Sequence, residues 1–206
     1  MKSKKKLLEK SRLYAIIDKK TCGLNSAVDL LNKIKNKGVE IVQYRDKDSG
    51  KETILKTAFA LKKIIANTNC LFIMNDYLDI AKISDADGIH LGQDDISIDI
   101  ARRILGRDKI IGVSCHSLTQ AKKAQREGAD YISIGPIFAT PTKPKIPPVG
   151  LNLIKDIKDN IKVPFFAIGG INKNNIKEIL SYGIKRVAVC RAVCQGNYGN
   201  DPIRIR

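Results

Sequence analysis

The feature that most constrains this chain is an alternation. Eight short runs, apolar nearly throughout, are each followed by residues spaced for a helix. The runs are 13–18, 41–45, 71–74, 88–91, 110–114, 131–134, 163–168 and 186–190. Strands buried on both faces of a parallel sheet read this way, because helices cover one face and the core the other. Eight such βα units in 206 residues predict an α/β fold, a compact (β/α)8 barrel at the small end of its size range. A doubly wound open sheet is the alternative, but it has no need of eight regular units.

Local signals agree with the alternation. Asn25 or Ser26 can cap a helix whose apolar face is Val28, Leu31 and Ile34, and Gly38 ends it. Helical spacing follows at 51–66, 98–105, 118–127, 151–158 and 174–180, with a shorter stretch around Leu78 and Ile80. After Arg191 only Ala192 to Gln195 precede a Gly/Asn-rich tail, so the eighth helix is expected to be short or missing. A homo-oligomer contact or the N-terminal segment could then cover the barrel there. Residues 1–12 read as a basic extension with Leu7 and Leu8 as its apolar contacts, either a solvated arm or a lid over one end of the fold. Residues 13–206 read as a single domain.

Composition narrows the partners. Net charge is +16, which suits nucleic acid, an acidic membrane surface or small anions. Lysines are spread along the whole chain, and aromatic residues are 5% with no Trp, a poor supply of stacking platforms for nucleic acid. No apolar run has the length of a membrane span. Only Leu7-Leu8 follow the first lysines, too few for a secretory core. The five cysteines are scattered without CxxC or zinc spacing, as in a cytoplasmic protein with reduced thiols.

Two of the chain's segments stand out chemically. The first is 135–150, GPIFATPTKPKIPPVG, a loop too long and too proline-rich to be helix or central strand. Thr140, Thr142 and Lys143 on that stiffened loop suit a phosphate. The second is the set of strand ends, where a barrel of this kind builds its site. Gln43-Tyr44-Arg45-Asp46-Lys47, Asn75-Asp76, Gln93-Asp94-Asp95, Ser114, Gly169-Gly170 and Cys190-Arg191 all fall there.

Asp76 and Asp95 end neighbouring strands, roughly 5 Å apart across a sheet. A shared Mg²⁺ would relieve their repulsion; alternatively either could cap the helix that follows it. Arg45, Lys47 and Lys143 would suit a diphosphate, or form surface ion pairs. The glycine pair allows a phosphate close to the backbone, or only a tight turn. Other chemistries fit poorly. Gly112-Val113-Ser114-Cys115-His116 lacks the last glycine of a nucleophile elbow, and there is neither a P-loop nor a dinucleotide fingerprint. His90, inside an apolar strand, reads as a core residue.

Taken in order, these segments resemble the thiamine phosphate synthase family from about residue 13 to 193. The resemblance rests on QYRDK at 43–47, ND at 75–76, DGIHLGQDD at 87–95, GVSCH at 112–116, GPIFATPTK at 135–143, PPVG at 147–150 and AIGGI at 167–171. It implies a transferase that joins a pyrimidine diphosphate to a thiazole phosphate, releasing pyrophosphate. It also implies that Gln43, Tyr44, Arg45, Asp46, Lys47, Asn75, Ser114 and Lys143 hold the pyrimidine diphosphate. Asp76 and Asp95 would hold Mg²⁺, and Thr140, Pro141, Thr142, Gly170, Cys190 and Arg191 would meet the thiazole phosphate. Arg45, Lys47, Ser114 and Lys143 would act in catalysis. The related thiazole tautomerases carry His where this chain has Pro136. One departure is Cys190-Arg191, where the family usually shows an aliphatic residue followed by Ser; Arg191 brings a guanidinium to that place.

Overall fold

A computed structural model describes residues 3–23, 26–142, 144 and 146–195. Its elements run α1 (Lys4–Lys10), β1 (Leu13–Asp18), α2 (Lys19–Cys22), α3 (Ala27–Ile34), β2 (Ile41–Arg45), α4 (Lys51–Ile65), β3 (Leu71–Asn75), α5 (Leu78–Ile83) and β4 (Gly88–Leu91). They continue with α6 (Ile98–Leu105), β5 (Ile110–Cys115), α7 (Leu118–Arg126), β6 (Tyr131–Ile134), α8 (Asn152–Asn160), β7 (Phe165–Ile168), α9 (Ile176–Ser181), β8 (Val187–Val189) and α10 (Arg191–Cys194). The eight strands pair in parallel in chain order, and β8 closes on β1 through Leu13 opposite Val187. This is the (β/α)8 barrel expected from the alternation.

The period of two along each strand sorts side chains into two cores. Ala15, Val42, Phe72, Ile89, Ile111 and Ile132 point outward, into one cluster with Leu31, Ile54, Leu61 and Ile154 of the helices. Tyr14, Ile16, Ile41, Leu71, Ile73, Ile110, Tyr131 and Phe166 point inward and fill the barrel axis. Tyr14, Tyr131 and Phe166 meet edge to face, with centroids 5.4 to 5.8 Å apart. The Tyr131 ring lies across Gly112, where a Cβ would come within 2.0 Å of it. Glycine is therefore the residue that lets this plug form.

The helix starts follow the capping rule. Ser26, Ser97 and Ser117 accept from the amides of Asp29, Ile100 and Gln120. Two elements depart from expectation. A one-turn helix, α2, follows β1 at once, because Asp18 accepts from the Thr21 amide at 2.8 Å. Helix α3 ends at Ile34, and residues 35–38 make a turn closed by Gly38 at φ 80°. Asn25, offered as an alternative cap, lies outside the described residues. Among the described residues the eighth helix is short: α10 is one turn, and it buries Val193 and Cys194.

Helix α1 seals the N-terminal end of the barrel. Leu8 is buried against the inward cluster, worth about 1.5–3 kcal/mol of apolar transfer. Lys4 and Lys5 pair with Asp87 and Asp130, which precede β4 and β6. Arg186 donates from Nη2 to the Glu9 carbonyl at 2.7 Å. Among the described residues no helix is long and apolar enough to cross a membrane.

Candidate active site

With the axis plugged below, the barrel, among the described residues, opens at the C-terminal ends of its strands. A cavity of about 560 Å³ lies there. Its floor is the last inward residue or two of most strands: Ile16, Gln43, Asn75, His90, Ser114, Ser133, Ile168 and Ala188. Its wall is the start of the long loop, Gly135 to Pro136 and Ala139 to Thr142, with Gly169 to Asn172 and Cys190 to Ala192. Arg45 and Arg191 are its cationic groups, and among the described residues no Asp or Glu lines it.

The first cation is positioned by a buried acid. Arg45, at the end of β2, donates through Nη1 to Asp18 Oδ2, and Asp18 is buried at the end of β1. Asp18 thus orients the guanidinium and starts α2 with its other oxygen. Arg191 is exposed at the start of α10 and donates from Nε to Gln195 Oε1 at 2.6 Å. Gln195 in turn reaches the Thr21 carbonyl, tying α10 to α2.

The carboxylates stand at the rim. Asp76 takes the left-handed conformation, φ 61°, with its amide donating to the His90 carbonyl. Neither Asp76 nor Asp95 caps a helix: α5 has no side-chain cap, and Ser97 caps α6. Asp95 Oδ2 instead accepts from the Gly92 amide at 2.6 Å. Burial raises the Asp76 carboxyl above the usual aspartate range; Lys47, 2.8 Å away, opposes this and the Asp95 carboxylate adds to it. A carboxylate whose charge is disfavoured by a second carboxylate beside it suits a divalent cation. Among the described residues no third His, Cys, Asp or Glu joins them. That donor set fits Mg²⁺, which commonly takes one or two carboxylates and leaves positions for phosphate oxygens.

The glycine pair has a steric reason. Gly169 and Gly170 sit at φ 101° and 68°. A Cβ on Gly169 would meet Pro136 at 2.4 Å, and one on Gly170 would meet Phe138 at 2.7 Å. The long loop starts by extending the ladder onto β7: the Ile137 and Phe138 amides donate to the Ile168 and Gly169 carbonyls. The glycines therefore let the start of the loop pack closely on the end of β7. Thr140 Oγ1 accepts from the Thr142 amide, folding the tip into a turn.

The structure brings together on the cavity wall Gln43, Arg45, Asn75, Ser114, Thr140, Pro141, Thr142, Gly170, Cys190 and Arg191. Lys47, Asp76 and Asp95 stand at the rim beside it. Lys143 lies outside the described residues. Tyr44 and Asp46 do not reach the cavity, which corrects the expectation from the QYRDK segment. Tyr44 alternates outward into the strand–helix core. Asp46 is buried under the turn after β2, accepting from the Tyr44 hydroxyl and from the amides of Asp48 and Ser49. Burial pushes its carboxyl up, but the Ser49 and Asp48 bonds outweigh this and hold it below the usual range.

Sequence reasoning missed several groups. His90 is buried, as expected of a core residue, yet it also forms part of the cavity floor. Its Nδ1 lies 2.9 Å from the Tyr131 hydroxyl and its Nε2 2.9 Å from Ser114 Oγ. His116 binds the Gly135 carbonyl through Nδ1 at the root of the long loop. Gln93 donates to the Ser114 carbonyl at 2.6 Å, joining two strand ends. The available signal was inward phase: a period of two sends His90 and Ser133 to the axis along with Gln43, Asn75 and Ser114.

Comparison with known proteins places this architecture. The family described as thiamine monophosphate synthase matches residues 13–193. The thiamine-phosphate synthase of Lawsonia intracellularis is 40% identical over 195 residues, covering 94% of this chain and 89% of that one. The thiamine-phosphate synthase of Shouchella clausii is 42% identical over 179 residues, covering 86% of each. Among solved structures, the thiamine phosphate pyrophosphorylase of Pyrococcus furiosus has a TM-score of 0.83 and 34% identity, covering 92% of this chain and 90% of that one. The family match spans every strand from β1 to β8 and the rim they carry, so the chain belongs to the thiamine monophosphate synthase family.

Proposed function

We propose that this protein joins 4-amino-2-methyl-5-hydroxymethylpyrimidine diphosphate to 4-methyl-5-(2-hydroxyethyl)thiazole phosphate, giving thiamine phosphate and pyrophosphate. The observation that carries this reading is the charge pattern of one cavity. Two arginines and no acid line it among the described residues, while two carboxylates stand at its rim. Such a site binds a diphosphate and, beside it, the cation a diphosphate brings.

The reaction needs little from the protein in the way of proton transfer. The bond between the pyrimidine methylene carbon and the diphosphate oxygen breaks, and its electron pair leaves with pyrophosphate. The thiazole nitrogen lone pair then forms the new C–N bond, so no proton moves and no general base is required. Arg45, fixed by Asp18, and Lys47 stabilise the charge that develops on the leaving group. Lys143 joins them by its place in the sequence. Asp76 and Asp95 would hold Mg²⁺, which supplies further electrostatic stabilisation of the diphosphate when bound. Gln43, Asn75 and Ser114 hold the pyrimidine end. Thr140, Thr142, Gly170, Cys190 and Arg191 receive the thiazole phosphate. The described start of the long loop, with Ala139 to Thr142 on the cavity wall, would keep water from the methylene carbon.

The same reading makes the protein cytoplasmic, consistent with five free cysteines. The test is a condensation assay with both substrates and Mg²⁺, followed by oxidation and detection of fluorescent thiochrome phosphate. We expect a signal that EDTA abolishes. Folded protein that gives no product with both substrates and Mg²⁺ present would sink the reading.

A further inference from the structure

Beneath the cavity runs an unbroken chain of hydrogen bonds between buried side chains. Gln43 Nε2 faces the Tyr14 hydroxyl at 2.6 Å, and Tyr14 faces the Tyr131 hydroxyl at 2.8 Å. Tyr131 faces His90 Nδ1 at 2.9 Å, and His90 Nε2 faces Ser114 Oγ at 2.9 Å. Gln43, Tyr14, Tyr131 and His90 are all buried, and the chain crosses the barrel from β2 to β5.

The first link fixes the direction of all the others. An amide nitrogen can only donate, so Tyr14 accepts from Gln43 and sends its own hydrogen to Tyr131. Were Tyr131 to donate to Tyr14 instead, the Tyr14 hydrogen would have no acceptor among the described residues, at a real cost for a fully buried hydroxyl. Tyr131 therefore donates to His90 Nδ1. That leaves the His90 proton on Nε2, where it is donated to Ser114 Oγ at 2.9 Å, the nearer of two hydroxyls; Ser133 Oγ lies at 3.4 Å. Ser114, already accepting, turns its hydrogen to the cavity, where no protein acceptor meets it among the described residues.

We infer that Tyr131 and His90 are positioning residues: they hold His90 as its Nε2–H tautomer and so make the Ser114 hydroxyl a hydrogen-bond donor to the pyrimidine diphosphate. This deepens the function proposed above and rests on it for the identity of the ligand. At the other end of the chain the Gln43 amide oxygen has no protein partner among the described residues. The cavity floor thus presents an acceptor on β2 and a donor on β5. A substrate with an amino donor and with acceptor nitrogens or phosphate oxygens meets a floor already polarised to receive it, with no reorganisation of the protein dipoles.

Two experiments test this. The first is a long-range ¹H–¹⁵N spectrum of histidine-labelled wild-type protein without substrates, assigned with a His116→Gln variant. His90 Nδ1 is expected in the unprotonated range and Nε2 in the protonated range. His116, whose Nδ1 faces a carbonyl, is expected to show the opposite tautomer and serves as internal reference. A protonated Nδ1 on His90 overturns the inference, because the chain then runs the other way and Ser114 donates to His90. The second is a double-mutant cycle of Tyr131→Phe and Ser114→Ala, read as kcat/KM for the pyrimidine diphosphate. Tyr131→Phe alone is expected to cost roughly tenfold, and to cost little more once Ser114 is Ala. Additive losses would overturn the positioning role, since a merely structural change does not depend on Ser114. The spectrum needs no activity and no variant at Tyr131. A wild-type protein that fails to condense the substrates would thus sink the functional reading while the tautomer is still decided on its own.

Discussion

Lys47 Nζ lies 2.8 Å from Asp76 Oδ2, so the carboxylate assigned to a divalent cation is already balanced by a cation of the protein. On the function proposed above, Mg²⁺ would compete with Lys47 for that carboxylate, and the diphosphate would use both. We expect Lys47→Ala to lower kcat by roughly 10²-fold, the scale of losing one preorganised electrostatic contact. It should at the same time lower the Mg²⁺ concentration that gives half the maximal rate. Initial rates across a Mg²⁺ titration check this; unchanged kcat and unchanged Mg²⁺ dependence would take Lys47 out of the site.

Asp76 is a case where function and stability oppose each other. Its carboxyl is raised, first by burial, so the fold favours the neutral form and the ionised form costs stability. That cost is absent below the ordinary aspartate value and grows as pH rises through the raised one. Asp76→Asn should abolish most activity yet raise Tm by about 1–3 °C at neutral pH without Mg²⁺. The gain should vanish near about pH 3, where both states carry a neutral aspartate. Asn is the apt replacement because it tolerates the left-handed backbone at this position. Thermal melts across pH, with and without Mg²⁺ and diphosphate, decide it; a lower Tm for the variant at neutral pH would contradict the sign.

The packing of the long loop's start on the end of β7 depends on the absence of a Cβ at Gly169. Gly169→Ala should destabilise by roughly 2–4 kcal/mol, combining positive φ with contact on Pro136 backbone. It should also raise KM for the thiazole phosphate more than for the pyrimidine diphosphate, because it displaces the wall carrying Thr140 and Thr142. Urea unfolding and two KM values are the measurements, and a stable variant with unaltered KM would refute the packing argument.

At the opposite end, Leu8→Ala should cost about 2–4 kcal/mol and leave kcat within twofold or so. Leu8 belongs to the seal beneath the aromatic plug, and the plug separates it from the cavity floor. Denaturant midpoint and kcat together test this. A large fall in kcat at a temperature where the variant remains folded would show that the seal and the site are coupled.

The barrel was legible because both periods that matter are visible in a single sequence. Continuous apolar runs mark strands buried on two faces, and their regular return marks the closed ring. The rim was legible for the same reason, since polar residues at strand ends have one place to go. What escaped was determined by side-chain direction. Tyr44 and Asp46 sit within a segment whose neighbours enter the cavity, but strand alternation sends Tyr44 outward and a tight turn buries Asp46. Asp18 gave no sign that it would hold Arg45, because their pairing is across β1 and β2 and not along the chain. His90 looked like core and is core; that its two nitrogens link a tyrosine below to a serine above is a fact of three dimensions.

The ring of Tyr131 over Gly112 makes the barrel a blind-ended vessel. Among the described residues, the plug leaves the C-terminal ends of the strands as the way into the cavity. On the function proposed above, whether the methylene carbon meets the thiazole nitrogen or water would be settled at that doorway. On that reading the loop residues that wall it, Ala139 to Thr142, would bear both on the fidelity of the reaction and on the pace at which product escapes, so a change that hastens one would be felt by the other.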